Sequence, residues 1–176
     1  VDLLVQTSRR LRGRVRVPPN KSHSFRALIM ACLAEGRSLI HSPAASSDWI
    51  RGTEAMEMFG ASIEPSGAEA WAIEGTGGRL RTPEDVIHCG NSGIIFRFFT
   101  ALAALCEGYT VLSGDESIRH QRPCGELLAA LTQLGAWGVR TTGDGYAPVV
   151  VRGPLAGGSA TLTGRDSQPV SALLIA

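Results

Sequence analysis

Lysine is almost missing from this sequence. Lys21 is the single lysine in 176 residues, and every other member of its seventeen Lys and Arg residues is arginine. Excess charge of either sign is missing too: the formal net charge is +1, which excludes a general nucleic-acid or membrane-surface binder. The four cysteines, Cys32, Cys89, Cys106 and Cys124, form no CxxC pair, and the four histidines show no metal-ligand spacing. Cys32 and Cys106 fall inside apolar helical patterns and read as small core residues of a reducing compartment. The longest apolar runs, such as ALIMACLA, are too short to span a bilayer, and the N-terminus has no charged-then-apolar leader. The expectation is a cytoplasmic protein with no metal site and no nucleic-acid or membrane partner.

What is present is enough apolar material for a core, since 44% of the residues are hydrophobic. One basic cluster, RRLRGRVRV (9–17), alternates Arg12, Arg14 and Arg16 with Gly13, Val15 and Val17, the period of a strand. It fits a solvated strand face or a contribution to an anion-attracting cleft. SQPVSALLIA (167–176) stops inside an apolar helical run without a cap, the pattern expected of a fragment.

A repeat organises the chain. NKSHSFRALIMACLAEGRSLIHS (20–42) matches NSGIIFRFFTALAALCEGYTVLSG (91–114), with Asn20 on Asn91, Phe25 on Phe96 and Arg26 on Arg97. DWIRGTEAMEMFGASIE (48–64) then parallels RPCGELLAALTQLGAWGV (122–139). Both close on a large apolar residue followed by Gly-Ala, at Phe59-Gly60-Ala61 and Leu134-Gly135-Ala136, and the glycine reads as a helix stop. Two short strands follow each: SIEPS and AWAIEG, then GVRTTG and APVVVRG. A third copy starts at GSATLTGRDSQPVSALLIA (158–176) with a strand, a polar turn and a helix start. The spacing predicts an α/β (α+β) fold of repeated βαβαββ units. The expected division is first strand or strands 1–18, unit 1 over 19–84, unit 2 over 85–155 and the start of unit 3 over 156–176.

Each copy feeds an apolar helix from a polar turn: Asn20-Lys21-Ser22, Asn91-Ser92-Gly93 and Asp166-Ser167-Gln168. Asn, Ser and Asp suit simple capping at these places. Helix starts also carry free N–H groups and a positive dipole end, so three brought together make an anion site. The cations favour the second reading. Lys21 lies in a first helical turn, where a positive charge is unfavourable by about 0.3–1 kcal/mol unless an anion sits beside it. Arg26 and Arg97 lie at matching places in their copies, and Arg122 precedes Pro123 at another helix start. Together they point to a polyanionic ligand, phosphorylated or carboxylated. His23 and His120 suit solvent-facing or capping roles better than catalysis, and GTGGR (75–79) reads as a loop and not a nucleotide cradle.

At these residues the sequence resembles the enolpyruvyl transferases, in the branch that acts on shikimate 3-phosphate. NKSHSFRALIMACLAEG resembles the Lys-Ser-x-Ser-x-Arg-Ala-Leu turn, and GNSGIIFRF the Gly-Asn-Ala/Ser-Gly-Thr-x-x-Arg signature. RHQRPCGELLAAL resembles the Arg-Pro helix start, and DSQPVSALLIA the Ser-Ser-Gln-x-x-Ala-Leu-Leu turn. The four follow the family order and match its first half. The resemblance implies a two-lobed, inside-out α/β barrel enzyme, each lobe built of three units, with the first strand belonging to the opposite lobe. It implies enolpyruvyl transfer from phosphoenolpyruvate to the 5-hydroxyl of shikimate 3-phosphate, without cofactor or metal, by a full-length monomer. By motif, Lys21 would touch both substrates as the catalytic cation. Ser22, Arg26, Asp166, Ser167 and Gln168 would bind shikimate 3-phosphate. Asn91, Gly93 and Arg122 would hold phosphoenolpyruvate, with Gln168 reaching the enolpyruvyl group.

The sequence departs from the pattern in three ways. Asp166 stands where serine is usual and would repel a phosphate unless it turns away or pairs with Arg165. Ile94 replaces the usual threonine and Phe98 a proline or leucine, in a stretch that shapes the pocket for glyphosate, a phosphoenolpyruvate mimic. The expectation is weakened inhibition by glyphosate. The acid/base aspartate, the glutamate and the second-lobe cations of the family are not in these residues, so this chain alone is expected to bind weakly and turn over nothing. The alternatives are a paralogous transferase on another hydroxylated acid, or an isolated non-catalytic binding domain. The sister enzyme acting on a UDP-linked amino sugar fits less well. It carries Lys-Asn where Lys21-Ser22 stands, and a cysteine before its Arg-Pro pair where His120-Gln121 stands.

Overall fold

Asn20 has an extended backbone, and its side chain accepts a hydrogen bond from the His23 amide at 2.9 Å. That cap starts helix α1 (Lys21–Leu33), which turns Phe25, Leu28, Ile29 and Cys32 inward at helical spacing. Strand β1 (Arg37–His41), helix α2 (Ser47–Met58) and strands β2 (Ser62–Pro65) and β3 (Ala70–Glu74) follow. The strands make an antiparallel sheet in the order β1-β3-β2, with Arg37 opposite Glu74 and Pro65 opposite Trp71. This computed structural model describes residues 3–7, 9–143 and 145–176.

The second set repeats the order. It has β4 (Ile87–His88), α3 (Gly93–Ala103), β5 (Thr110–Ser113), a short α4 (Glu116–Gln121), α5 (Gly125–Gln133), β6 (Trp137–Arg140) and β7 (Val149–Arg152). Its sheet runs β4-β5-β7-β6, parallel only between β4 and β5. Helix α6 (Ser167–Ile175) opens a third set. Every residue from Ile94 to Ala103 is buried, so α3 is surrounded, with α2, α5 and α6 packed against it. A helix that is apolar all round belongs inside. The sheets keep one face outward, as the alternating burial of β1 and β5 records. Phe25 meets Phe98 edge-on and Phe99 at a tilt, with ring centroids 5.9 and 5.7 Å apart, joining α1 to α3.

The two copies end their helices alike. Gly60 and Gly135 take φ of +111° and +92°, and the Ala61 and Ala136 amides reach back to the Met56 and Leu131 carbonyls. This is the left-handed glycine stop expected from the sequence. A second pair of glycines was not legible there. Gly75 after β3 and Gly153 after β7 each pass a helix end so closely that an added Cβ would lie 2.1 Å from the Ala34 carbonyl oxygen or 2.0 Å from that of Ala104. GTGGR proves to be a cap: the Thr76, Gly77 and Gly78 amides donate to the Cys32, Ala34 and Leu33 carbonyls at the end of α1.

Three expectations differ from the structure. No strand forms among the described residues 3–20, and none at 158–163: neither segment joins either sheet. Arg12, Arg14 and Arg16 are exposed there. Helix α4, capped by Asp115 through the Ile118 amide (3.2 Å), was not read from the sequence and precedes the Arg122-Pro123 turn. All four cysteines are buried free thiols. Burial pushes Cys32 and Cys124 up to about 12 and Cys106 to about 11. Burial also raises Cys89, with the neighbouring Cys124 adding to the rise and Arg51 opposing it. No helix among the described residues is long and apolar enough to cross a membrane.

Candidate functional site

Helices α1, α3 and α6 begin at one place. Their first turns border a cavity of about 280 Å³ lined by Lys21, Ser22, Asn91, Ser92, Gly93, Ile94, Arg122 and Gln168. Each start is capped by its own side chain: Asn20 for α1, Ser92 through the Ile95 amide (3.4 Å) for α3, and Asp166 through the Gln168 amide (2.9 Å) for α6. Alignment of the repeat pairs Asn20 with Asn91, but the cap of α3 falls one residue later. Asn91 is thereby left exposed at the cavity. Capping and anion attraction therefore coexist, because a cap occupies one of the four free amides of a helix start.

The anion beside Lys21 is the protein's own. Lys21 Nζ lies 3.0 Å from Asp48 Oδ2, and the same oxygen accepts the Ser92 hydroxyl at 2.8 Å. The Asp48 side chain is 6% exposed and that of Lys21 56%. Asp48 sits in the first turn of α2, where a carboxylate suits the dipole. Arg122 makes no ion pair or hydrogen bond to the described residues and faces the cavity uncompensated. Between these cations, Gly93 supplies room. A Cβ there would meet Arg97 Nη1 at 2.9 Å, and Arg122 Cδ and Gln168 Oε1 at 3.5 Å each.

Asp166 lies outside the cavity lining and is paired, yet its partner is not Arg165. Arg97 Nη2 reaches Asp166 Oδ2 at 3.2 Å, while Arg97 Nη1 donates to Gln168 Oε1 at 2.8 Å. Arg97 is buried in α3, so Asp166 balances a charge that burial would otherwise strand. Its Nε has no partner among the described residues. Arg26 behaves as the matching residue of its copy. It donates to the Ser22 carbonyl (3.3 Å) and the Ser171 hydroxyl (3.4 Å) and lies 5.1 Å over the Phe98 ring, so it reaches α6 and not the cavity. Ser167 is exposed at the start of α6, outside the cavity lining.

The cavity thus gathers Lys21, Ser22, Asn91, Gly93, Arg122 and Gln168, while Arg26, Asp166 and Ser167 stand behind or beside it. Sequence reading missed Asp48, and it named Ser92 and Arg97 without the partners they take here. SSDWI reads as an ordinary helix start, and nothing local shows that its carboxylate crosses to a residue 27 positions earlier. His23 and His120 are exposed and take no part. A larger cleft of about 750 Å³ lies by Trp49 and Trp71, but its rim charges, Arg16 and Glu69, face each other at 4.0 Å and leave no net attraction for an anion.

Fold and site together define an α/β protein of repeated units with a cationic cleft at converging helix starts. The family model for EPSP synthase (3-phosphoshikimate 1-carboxyvinyltransferase) matches residues 5–176, and the chain belongs to that family. A 3-phosphoshikimate 1-carboxyvinyltransferase of Methanothermobacter thermautotrophicus is 45% identical over 177 residues, covering 100% of this chain and 42% of the relative. One from Halorubrum lacusprofundi is 46% identical, covering 97% of this chain and 39% of the relative. The solved EPSP synthase from Acinetobacter baumannii superposes with a TM-score of 0.84 at 27% identity, over 93% of this chain and 38% of that one. The chain spans about two fifths of the length of these relatives.

Proposed function

We propose that this chain forms the part of an enolpyruvyl transferase that receives shikimate 3-phosphate and the phosphate end of phosphoenolpyruvate. The observation that carries the reading is the meeting of three helix starts, Lys21 and an unpaired Arg122 around one cavity. Two phosphate esters and a carboxylate need that concentration of N–H groups and cations. In this reading Ser22, Ser167 and Gln168 bind shikimate 3-phosphate, with Arg26 and Asp166 shaping the wall behind them. Asn91, the open backbone of Gly93, and Arg122 hold phosphoenolpyruvate. Lys21 lies between the substrates. The methylene carbon of phosphoenolpyruvate takes a proton, and the 5-hydroxyl oxygen bonds to the adjacent carbon. The hydroxyl proton leaves, and the C–O bond to phosphate then breaks as the methyl group returns a proton. Nothing is oxidised or reduced, so the reaction calls for no redox cofactor.

The reading includes a monomeric, cytoplasmic enzyme at full length. Residues 1–18 pair in the opposite lobe, and units 19–84, 85–155 and the one starting at 156 build this one. The exposed, strandless segment before α1 and the paired architecture of the two sheets support it. Calorimetry of the chain with shikimate 3-phosphate tests the site. Heat is expected from the unsubstituted chain, and Arg122→Ala is expected to weaken phosphoenolpyruvate binding about tenfold or more in a chain of the relatives' full length. No heat from the folded chain, and no phosphate release at full length, would overturn the reading. Ile94 lines the cavity, and Phe98 is buried beside Phe25 and under Arg26. Glyphosate is expected to inhibit the full-length enzyme weakly; sub-micromolar inhibition would count against that.

A further inference from the structure

We propose that Asp48 is the positioning residue for Lys21, holding the ammonium at the cavity mouth through a carboxylate oxygen shared with the cap of α3. The functional half of this inference rests on the reading of Lys21 given above; the structural half stands without it. One oxygen, Asp48 Oδ2, takes both the Lys21 ammonium at 3.0 Å and the Ser92 hydroxyl at 2.8 Å. Ser92 in turn caps α3. Three helices therefore depend on a single atom: α2 carries it, α1 gives Lys21 and α3 gives Ser92.

A surface ion pair of this length contributes little, but Asp48 is not on the surface: its side chain is 6% exposed. A purely stabilising carboxylate at a helix start would be satisfied by its own helix amides. The cap of α2 is instead Ser46, whose hydroxyl accepts the Trp49 amide at 3.3 Å, leaving Asp48 free to reach across. A carboxylate that merely repelled substrate anions would point into the cavity, whereas Asp48 is not among the lining residues and Lys21 and Ser92 are. The ammonium thus presents itself to the cavity with its long stem already oriented. A free lysine loses rotamer entropy when it must settle against a ligand, and prior orientation of a transition-state cation removes that cost at the moment of reaction.

The scarcity of lysine makes the test direct. With lysine labelled at Cε and Nζ, the chain gives one side-chain NMR signal, from Lys21. The unsubstituted chain is expected to show a restrained Lys21 side chain. Asp48→Asn keeps an oxygen for the Ser92 hydroxyl but removes the charge. It is expected to free the side chain and quicken exchange of the ammonium protons about tenfold or more, the scale of losing one charge-assisted hydrogen bond. A Lys21 side chain already moving like an exposed one in the unsubstituted chain overturns the proposal whether or not any variant folds. So does a signal unchanged by Asp48→Asn. At full length, Asp48→Asn should lower kcat about tenfold with little change in KM, and should lower it less than about twofold when Lys21 is already methionine. Equal losses in both backgrounds would make Asp48 structural only. Absence of turnover in the unsubstituted full-length enzyme would sink the functional reading, while the NMR result would still decide whether Asp48 holds Lys21.

Discussion

Lys21→Met is expected to cut kcat of the full-length enzyme by about a hundred- to a thousandfold, the usual effect of removing one group that stabilises charge in a transition state. Methionine matches the reach of the lysine stem, so the change removes the ammonium and little else. It also leaves the Asp48 carboxylate buried with only the Ser92 hydroxyl. An uncompensated buried charge destabilises by about 3–5 kcal/mol where the partner was the main support; the exposure of Lys21 puts this case toward the lower end. Adding Asp48→Asn should therefore recover much of the lost thermal stability and none of the lost turnover. Thermal melts and phosphate-release rates on the two variants read the halves separately. A Lys21→Met enzyme within threefold of the original rate would remove Lys21 from the chemistry.

Gly153→Ala is expected to have the largest effect on folding. The new Cβ would stand 2.0 Å from the Ala104 carbonyl oxygen, 2.6 Å from the Ala104 carbonyl carbon and 2.8 Å from the Cys106 carbonyl oxygen. All three are backbone atoms at the end of α3, which is packed on every side and has nowhere to retreat. A clash with backbone is not relieved by a rotamer change, so the cost is put at about 3 kcal/mol or more. For a chain of this size that is a fall in Tm of roughly 6–12 °C. Gly75→Ala repeats the situation at the end of α1, 2.1 Å from the Ala34 carbonyl oxygen, and should fall by a similar amount. A Tm within about 2 °C of the original for either variant would show that the helix ends yield more readily than their packing implies.

The parts legible in the sequence were those written locally. The Asn and Ser turns, the apolar helical runs after them and the Gly-Ala stops recur in the same order at offsets of 71 to 75 residues, and they mark every helix but α4 and the paired strands β2, β3, β6 and β7. The convergence of helix starts followed from the repeat, since equivalent turns in equivalent units face one another. What escaped depended on contacts between elements. Asp48 meets Lys21 and Ser92 only once α2 is laid beside α1 and α3. Arg97 was matched to Arg26 by the repeat, but its pairing with Asp166 spans 69 residues, and the sequence offered that carboxylate only a turn away or the adjacent Arg165. The alternation of Arg12, Arg14 and Arg16 has the period of a strand, but periodicity states only what a segment is able to do. A strand forms when another pairs with it, and the described residues 3–20 join neither sheet.

The four interior sulfurs have a practical consequence. Burial raises Cys106 to about 11, so near neutral pH its thiolate, the form that reacts, is a small minority. Maleimide and disulfide reagents should pass all four by on the timescale of a labelling reaction. A fluorophore or spin label can then be directed to one engineered surface cysteine without first stripping the native ones. Distances across the cleft become measurable in a chain whose interior is left as it was.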